Sequence, residues 1–171
     1  MATYELAVDW NNDGDYIDAN EDISGDVMEL QCSQGRDYAS QVSGKAVAGK
    51  LFARLRNDDG KYSPFNTASP LTGNILPGRK VRLRETTPTA TIIWTGFLDR
   101  IHPDAASGDL LTARLEASGP LIQLEGREIN PAGQASVRTD QIITTILDDV
   151  GWAAGDRDLQ VGKTTIERWF A

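Results

Sequence analysis

Three separate stretches of this chain alternate apolar and polar residues with a strict two-residue period. Across 50–56, Leu51, Ala53 and Leu55 face one way, and Lys50, Phe52, Arg54 and Arg56 face the other. Across 80–85, Val81 and Leu83 oppose Lys80, Arg82 and Arg84. Across 110–117, Leu111, Ala113, Leu115 and Ala117 oppose Thr112, Arg114 and Glu116. Successive side chains of a β-strand point to opposite faces, so this period selects half-buried strands rather than helices. A fourth stretch, 91–101, is a β-branched and aromatic run, Thr-Ile-Ile-Trp-Thr-Gly-Phe-Leu-Asp-Arg-Ile. Gly96 in its middle predicts a bulge or a bend at a barrel corner. Asn57-Asp58-Asp59-Gly60 ends the first strand in a turn, and 104–109 reads as the hairpin between the last two. Leu51, Leu55, Val81, Leu83, Ile93, Leu111 and Leu115 are expected to line one interior.

The expected fold class is therefore mainly β, α+β overall. A small β-barrel of antiparallel strands occupies 1–119, and the start of a second, helix-containing domain occupies 120–171. Within the first, 62–79 holds three prolines (Pro64, Pro70, Pro77) and two glycines (Gly73, Gly78), which forbid regular structure. Its apolar residues, Phe65, Leu71, Ile75 and Leu76, are expected to pack over a barrel end. In the second, Pro120 to Leu124 fits a single helical turn, and 139–151 carries several helix signals. Thr139 serves as N-cap, Asp140 lies near the positive helix end, and Gly151 falls at the C′ position. Ile142, Ile143, Ile146, Leu147 and Val150 share one face. The chain stops at Arg168-Trp169-Phe170-Ala171, two adjacent aromatics with no polar tail. That pattern predicts a second domain that is cut short.

Charge and composition narrow the function classes. Seventeen Lys and Arg against 25 Asp and Glu give a formal net charge of −8, which argues against sequence-independent nucleic-acid binding. No apolar run approaches the roughly 20 residues of a membrane helix, so no membrane insertion is expected. Met1-Ala2-Thr3-Tyr4-Glu5 lacks the basic-then-apolar pattern of a signal peptide, which points to the cytosol as the compartment of synthesis. The single cysteine, Cys32, excludes an intrachain disulfide and a multi-cysteine zinc site, and its strand-like surroundings predict a packed small side chain.

The densest set of oxygen donors lies in 9–22, Asp-Trp-Asn-Asn-Asp-Gly-Asp-Tyr-Ile-Asp-Ala-Asn-Glu-Asp. Donors occupy alternate positions, Asp9, Asn11 and Asp13, followed by Gly14 and Asp15. This spacing matches the first half of a Ca²⁺ loop, in which a sixth-position glycine allows a sharp turn around the ion. The twelfth position, where a bidentate Glu is expected, is Asn20, and Glu21 comes one residue later. The preceding Tyr4-Glu5-Leu6-Ala7-Val8 is strand-like, so the loop sits on a β scaffold rather than in an EF-hand pair. The candidate Ca²⁺ ligands are Asp9, Asn11, Asp13, Asp15 (through its backbone carbonyl), Asp18 and Glu21, with Asp22 a further choice for the later carboxylate. The competing reading is a plain turn, since Asn, Asp and Gly favour turns without any metal.

No catalytic constellation is evident, and a non-enzymatic protein is expected. His102 precedes Pro103 at a strand end and has no orienting partner in the sequence. Arg79, Lys80, Arg82 and Arg84 form a basic strand face without a glycine-rich strand-to-helix loop. Gly162-Lys163-Thr164 lacks the earlier glycine of a phosphate-binding loop. Asp148-Asp149 ends the predicted helix on its solvent side.

The order of short motifs nevertheless resembles a family. Val8-Asp9-Trp10 with its acidic loop, Asp22-Ile23-Ser24, Asp26-Val27, Gly35-Arg36-Asp37 and Ala48-Gly49 are followed by Leu55-Arg56-Asn57-Asp58-Asp59-Gly60-Lys61-Tyr62-Ser63-Pro64. Then come Ser69-Pro70-Leu71, Leu76-Pro77-Gly78-Arg79-Lys80-Val81 and Trp94-Thr95-Gly96-Phe97-Leu98-Asp99. This series resembles the N-terminal region of phage and prophage tail proteins of the baseplate-hub and tail-tip kind, and it covers most of the chain. In that family a Pro-Gly-basic-Val strand pairs with a Trp/Phe-x-Gly-x-Leu-Asp strand in a small β-barrel. The segment from Thr139 to Gly151 resembles the helix that opens the following hub domain. The resemblance implies a structural subunit of the virion tail, assembled in the bacterial cytoplasm. Its implied partners are copies of itself in a ring, a trimer by this resemblance, and other tail proteins. The alternative is a calcium-dependent cell-surface or carbohydrate-binding module with Trp10 and Tyr16 on its working surface.

Overall fold

A computed structural model describes residues 3–35, 47–104, 111–125 and 133–169. The chain divides into two compact units, Met1–Ile122 and Gln123–Ala171. The predicted hairpin at 104–109 lies outside the described residues beyond Asp104, as do Arg36, Asp37 and Phe170.

The first unit is one six-stranded antiparallel sheet, curled into a half-barrel. Its strands are β1 (Thr3–Val8), β2 (Val27–Ser33), β3 (Lys50–Arg56), β4 (Lys80–Thr87), β5 (Thr91–Asp104) and β6 (Thr112–Ser118). Their order across the sheet is β1-β4-β5-β6-β3-β2, which leaves β1 and β2 as the edges. The inner face carries the core: Leu6 and Val8 from β1, Leu51, Ala53 and Leu55 from β3, and Val81 and Leu83 from β4. Trp94, Leu98 and Ile101 from β5 and Ala113, Leu115 and Ala117 from β6 complete it. Period-two alternation thus gives the inward face of β3, β4 and β6 directly. Ile93 is only partly buried and packs against this cluster from its margin.

Leu111 does not join the core and is 46% exposed. Leu111 lies one residue outside the β5–β6 and β3–β6 ladders, which end at Asp104–Thr112 and Arg56–Thr112, and only its carbonyl is tied, to the Asn57 N–H at 2.8 Å. The bulges also fall elsewhere than Gly96. Register shifts occur between Leu83 and Arg84 in the β4–β5 pairing and between Leu98 and Arg100 in the β5–β6 pairing. An extra residue on one strand bends it and sharpens the twist, which suits a sheet that must curl. Gly96 answers a different need: a Cβ there would lie 2.3 Å from the Ser118 carbonyl oxygen and 2.4 Å from the Trp94 ring.

The irregular segment after β3 is a chain of turns with a three-residue step. Gly60, Ser63, Asn66, Ser69 and Thr72 each donate a backbone N–H to the carbonyl three residues earlier, at 3.0–3.1 Å. Polar side chains hold the turns together. Asn57 Oδ1 accepts the buried Tyr62 N–H at 2.8 Å, Ser69 Oγ donates to the Lys61 carbonyl at 2.6 Å, and Thr72 Oγ1 donates to the Asn66 carbonyl at 2.8 Å. Tyr62 is fully buried and donates its hydroxyl to the Asp26 carboxylate at 2.5 Å. Burial, then this hydrogen bond and the nearby charges of Asp26, Asp59 and Asp22, push its pKa far above the ordinary tyrosine range. Leu71 is buried and Ile75 packs on the core, as expected. Phe65 and Leu76 do not pack over a barrel end; they are 94% and 49% exposed. The three-residue step satisfies the backbone within the loop itself and turns Phe65 outward. Cys32 is likewise exposed rather than packed, on the edge strand β2.

The second unit contains a two-stranded antiparallel pair, β7 (Gln134–Arg138) and β8 (Thr165–Trp169), and one helix, α1 (Thr139–Asp149). Arg138, not Thr139, occupies the N-cap position, since extended β7 runs directly into the helix. Gln141 reaches back to accept the Arg138 backbone N–H at 2.9 Å. Gly151 takes the left-handed conformation, φ +74°, that ends a helix. Of the predicted apolar face, Ile142 and Val150 are buried, Ile146 and Leu147 are half-buried, and Ile143 is 44% exposed.

Candidate metal centre

Buried carboxylates converge where β1 ends. Val8 completes the strand, and the Asp9 N–H donates to the Lys80 carbonyl at 3.0 Å, which continues the β1–β4 pairing for one residue. Side chains alternate along a strand, so fixing this backbone also fixes where the Asp9 carboxylate points. Asp9 is fully buried. Its Oδ1 accepts the Asp13 N–H at 3.2 Å and its Oδ2 accepts the Gly14 N–H at 3.0 Å. The chain thereby folds back over Asp9 within five residues. Gly14, with φ +96°, supplies the left-handed conformation that this reversal needs.

The loop returns by pairing with the same strand. Val8 N–H donates to the Glu21 carbonyl and Ile23 N–H to the Leu6 carbonyl, each at 2.9 Å, around an isolated bridge between Ala7 and Asp22. Trp10 is buried, and its indole N–H donates to the Asn20 carbonyl at 3.0 Å. Asn20, at φ +72°, turns the chain into this short ladder. Tyr16 anchors the loop from its other side: the Arg82 guanidinium lies over its ring at 4.1 Å. Arg82 Nη2 also contacts Glu5 at 2.8 Å, and Arg84 Nη2 contacts the same carboxylate at 2.5 Å. Part of the basic face predicted for β4 is thus neutralised by β1.

This architecture carries Glu21 inward beside Asp9. One carboxylate oxygen from each of Asp9, Asp13 and Glu21 lies within 4.8 Å of the others. Glu21 is 1% exposed. Its Oε2 accepts the Asp18 N–H at 3.0 Å, whereas Oε1 is buried with no hydrogen-bond partner. Burial raises the Glu21 pKa above the ordinary glutamate value, opposed by the Asp18 N–H, and the charges of Asp9, Asp18 and Asp13 raise it further. Among the described residues, none of the three clustered carboxylates forms an ion pair with a cation.

Of the six residues predicted from spacing, Asp9, Asp13 and Glu21 therefore meet. Asn11 and Asp18 flank them: Asn11 Nδ2 donates to Asp13 Oδ2 at 2.9 Å and to Asp18 Oδ2 at 2.6 Å. Asp15 is exposed, and its carboxylate accepts the Ile17 N–H at 3.0 Å. The further choice, Asp22, is occupied by Ser24, whose N–H and Oγ donate to Asp22 Oδ1 at 2.9 and 2.6 Å. Of the alternating donors in the first half of the loop, the cluster includes Asp9 and Asp13. Spacing gives no reason to prefer Glu21 over its neighbours, because that choice depends on pairing between 21–23 and β1.

Elsewhere, His102 lies within β5, half-buried, with Nε2 3.7 Å from Asp104 Oδ1. In comparison with known proteins, the chain matches no protein-family model and no curated protein.

Proposed function

We propose that the chain is a structural, non-enzymatic subunit of a phage or prophage tail tip or baseplate hub, located in the virion tail. The observation that carries this reading is where its motif residues fall: at points that build one open half-barrel. Asn57 and Tyr62 anchor the turn chain after β3, and Asp26 receives the Tyr62 hydroxyl. The Gly78 N–H donates to the Leu98 carbonyl at 2.7 Å, and Leu98 N–H returns to the Arg79 carbonyl at 2.8 Å. These bonds join the Pro-Gly-basic-Val segment to the Trp-x-Gly-x-Leu-Asp strand, the pairing that the resemblance implies. The open edge supports assembly. Among the described residues β2 pairs only with β3, five of its seven residues are exposed, and a strand edge left unpaired is a ready template for a neighbouring chain. Copies arranged in a closed ring, a trimer by the resemblance, would cover such edges without leaving one free.

Light scattering and native mass spectrometry on the full-length protein test the reading. A ring of defined size, together with detection of the protein in purified virions, is the expected result. A full-length protein that stays monomeric at high concentration and binds glycans only with calcium would replace it with the carbohydrate-binding alternative. That alternative gains no support from Trp10, which is buried, and Tyr16 is half-buried with one face of its ring against Arg82.

A further inference from the structure

We infer that the β1 loop is a Ca²⁺ site, with the carboxylates of Asp9, Asp13 and Glu21 as its protein ligands. Two independent features point to a cation there. The first is the cluster itself: three carboxylate oxygens within 4.8 Å of one another, no wider than the about 4.6–5.2 Å that separates opposite oxygens at Ca²⁺ bond lengths. The second is Glu21 Oε1. Glu21 is 99% buried by its 1% relative exposure, and this oxygen has no hydrogen-bond donor. A buried carboxylate normally ends on a donor, a cationic side chain or a metal, because desolvating an unpaired charge is costly. Here the other Glu21 oxygen is satisfied by the Asp18 N–H while Oε1 belongs to the carboxyl group that joins Asp9 and Asp13. Asp9 is fully buried as well; both its oxygens accept backbone N–H groups, from Asp13 and Gly14, and among the described residues no cationic side chain pairs with it.

The donor set selects the class of ion. All three groups are hard oxygen anions with no histidine or thiolate among them, which favours Ca²⁺ or Mg²⁺ over zinc and copper. Asp13 is exposed, so one side of the cluster is open to water and to ligands beyond the protein's own. Ca²⁺ takes about 6–8 oxygens in adaptable geometry and tolerates such a mixed shell, whereas Mg²⁺ demands a tighter octahedron. The ion would join the start of the loop at Asp9 to its return at Glu21, across the turn closed by Gly14. This role stands whether or not the chain assembles into a tail.

Isothermal titration calorimetry of the EDTA-treated protein with CaCl₂, and separately with MgCl₂, tests the site, alongside thermal melts in EDTA and in CaCl₂. One Ca²⁺ per chain, weaker binding of Mg²⁺, and a melting temperature that climbs with calcium concentration are expected. Glu21→Gln keeps the size of the side chain and an acceptor for the Asp18 N–H. It should weaken Ca²⁺ binding at least about 10-fold, the cost of losing even an outer-shell partner of a metal. Asp13→Asn, at an exposed position that a fold tolerates readily, should do the same, and Asp15→Asn should leave binding unchanged. Absence of heat together with identical melts in EDTA and CaCl₂ would overturn the inference. So would wild-type affinity in both Glu21→Gln and Asp13→Asn. The oligomeric state does not enter this result, so a failed site and a failed tail assembly are separately readable.

Discussion

Gly96→Ala offers the sharpest test of how the half-barrel is closed. Gly96 is buried in the middle of β5 with an ordinary extended backbone, a conformation that alanine adopts freely. Judged by conformation alone, the change should stabilise the protein by about 0.4–1 kcal/mol, because alanine restricts the unfolded chain more than glycine does. The space around the residue reverses that sign. The added methyl would sit 2.3 Å from the Ser118 carbonyl oxygen, 2.9 Å from the Ser118 carbonyl carbon and 2.4 Å from the Trp94 ring. The first two are backbone atoms beside the Phe97–Ser118 and Leu98–Ala117 pairs, so they recede only if β5 and β6 separate locally. The third belongs to a Trp that is 1% exposed and has nowhere to swing. Overpacking a rigid interior costs about 1–3 kcal/mol and occasionally more, and two unyielding neighbours place this case at about 3 kcal/mol or above. At roughly 2–4 °C per kcal/mol for a chain of this size, the melting temperature should fall by about 6–12 °C. Gly25→Ala is the matched control, since no atom lies within 4 Å of a Cβ built there and its φ is not positive. Melts of the two variants followed by circular dichroism should diverge: a large loss for Gly96→Ala and a change within about 0.5 kcal/mol for Gly25→Ala. A Gly96→Ala protein as stable as the wild type would refute the close approach of β5 to Ser118.

Leu83→Ala should cost about 2–5 kcal/mol in urea denaturation, the range for truncating a buried leucine; a loss under about 0.5 kcal/mol would mean that the faces of β4 are inverted. Asn57→Ala should cost about 1–3 kcal/mol, because it strips the acceptor from the buried Tyr62 N–H, whereas Asp58→Ala at an exposed position should stay near zero. Equal effects of these two in a chemical melt would discard the turn-chain account. The Tyr62 hydroxyl has its pKa raised on folding, so its contribution to stability is intact below the ordinary tyrosine value and is lost as pH rises beyond it. Wild type and Tyr62→Phe should accordingly show the same tyrosinate absorbance up to alkaline unfolding, and a one-tyrosine difference before unfolding would show that the hydroxyl is not buried against Asp26.

Much of the half-barrel is written locally. The two-residue period of 50–56, 80–85 and 110–117 forces alternate side chains to opposite faces of a strand, so Leu51, Leu55, Val81, Leu83 and Leu115 could be assigned to the core without knowing which strands are neighbours. The same logic fails at the start of β6, where Leu111 precedes the first paired residue, Thr112, and is exposed although its carbonyl still accepts the Asn57 N–H. Local composition also marks 62–79 as irregular but does not say which apolar residues turn inward. The three-residue turn chain decides that, burying Leu71 and leaving Phe65 outside. The oxygen donors of the β1 loop are equally plain in sequence, since Asp9, Asn11, Asp13 and Asp15 alternate ahead of several later acids. Sequence spacing alone cannot rank Asp18, Glu21 and Asp22, because each is within reach of a flexible loop. The ranking comes from long-range pairing: hydrogen bonds from β1 hold 21–23 in extended form, and that places the Glu21 carboxylate inward against Asp9 while Asp22 faces Ser24. Strand periodicity and donor chemistry are properties of neighbouring residues and survive in the sequence, whereas the partner of a buried charge or the contact that demands a glycine is set by segments distant in the chain, and only the folded sheet brings those together.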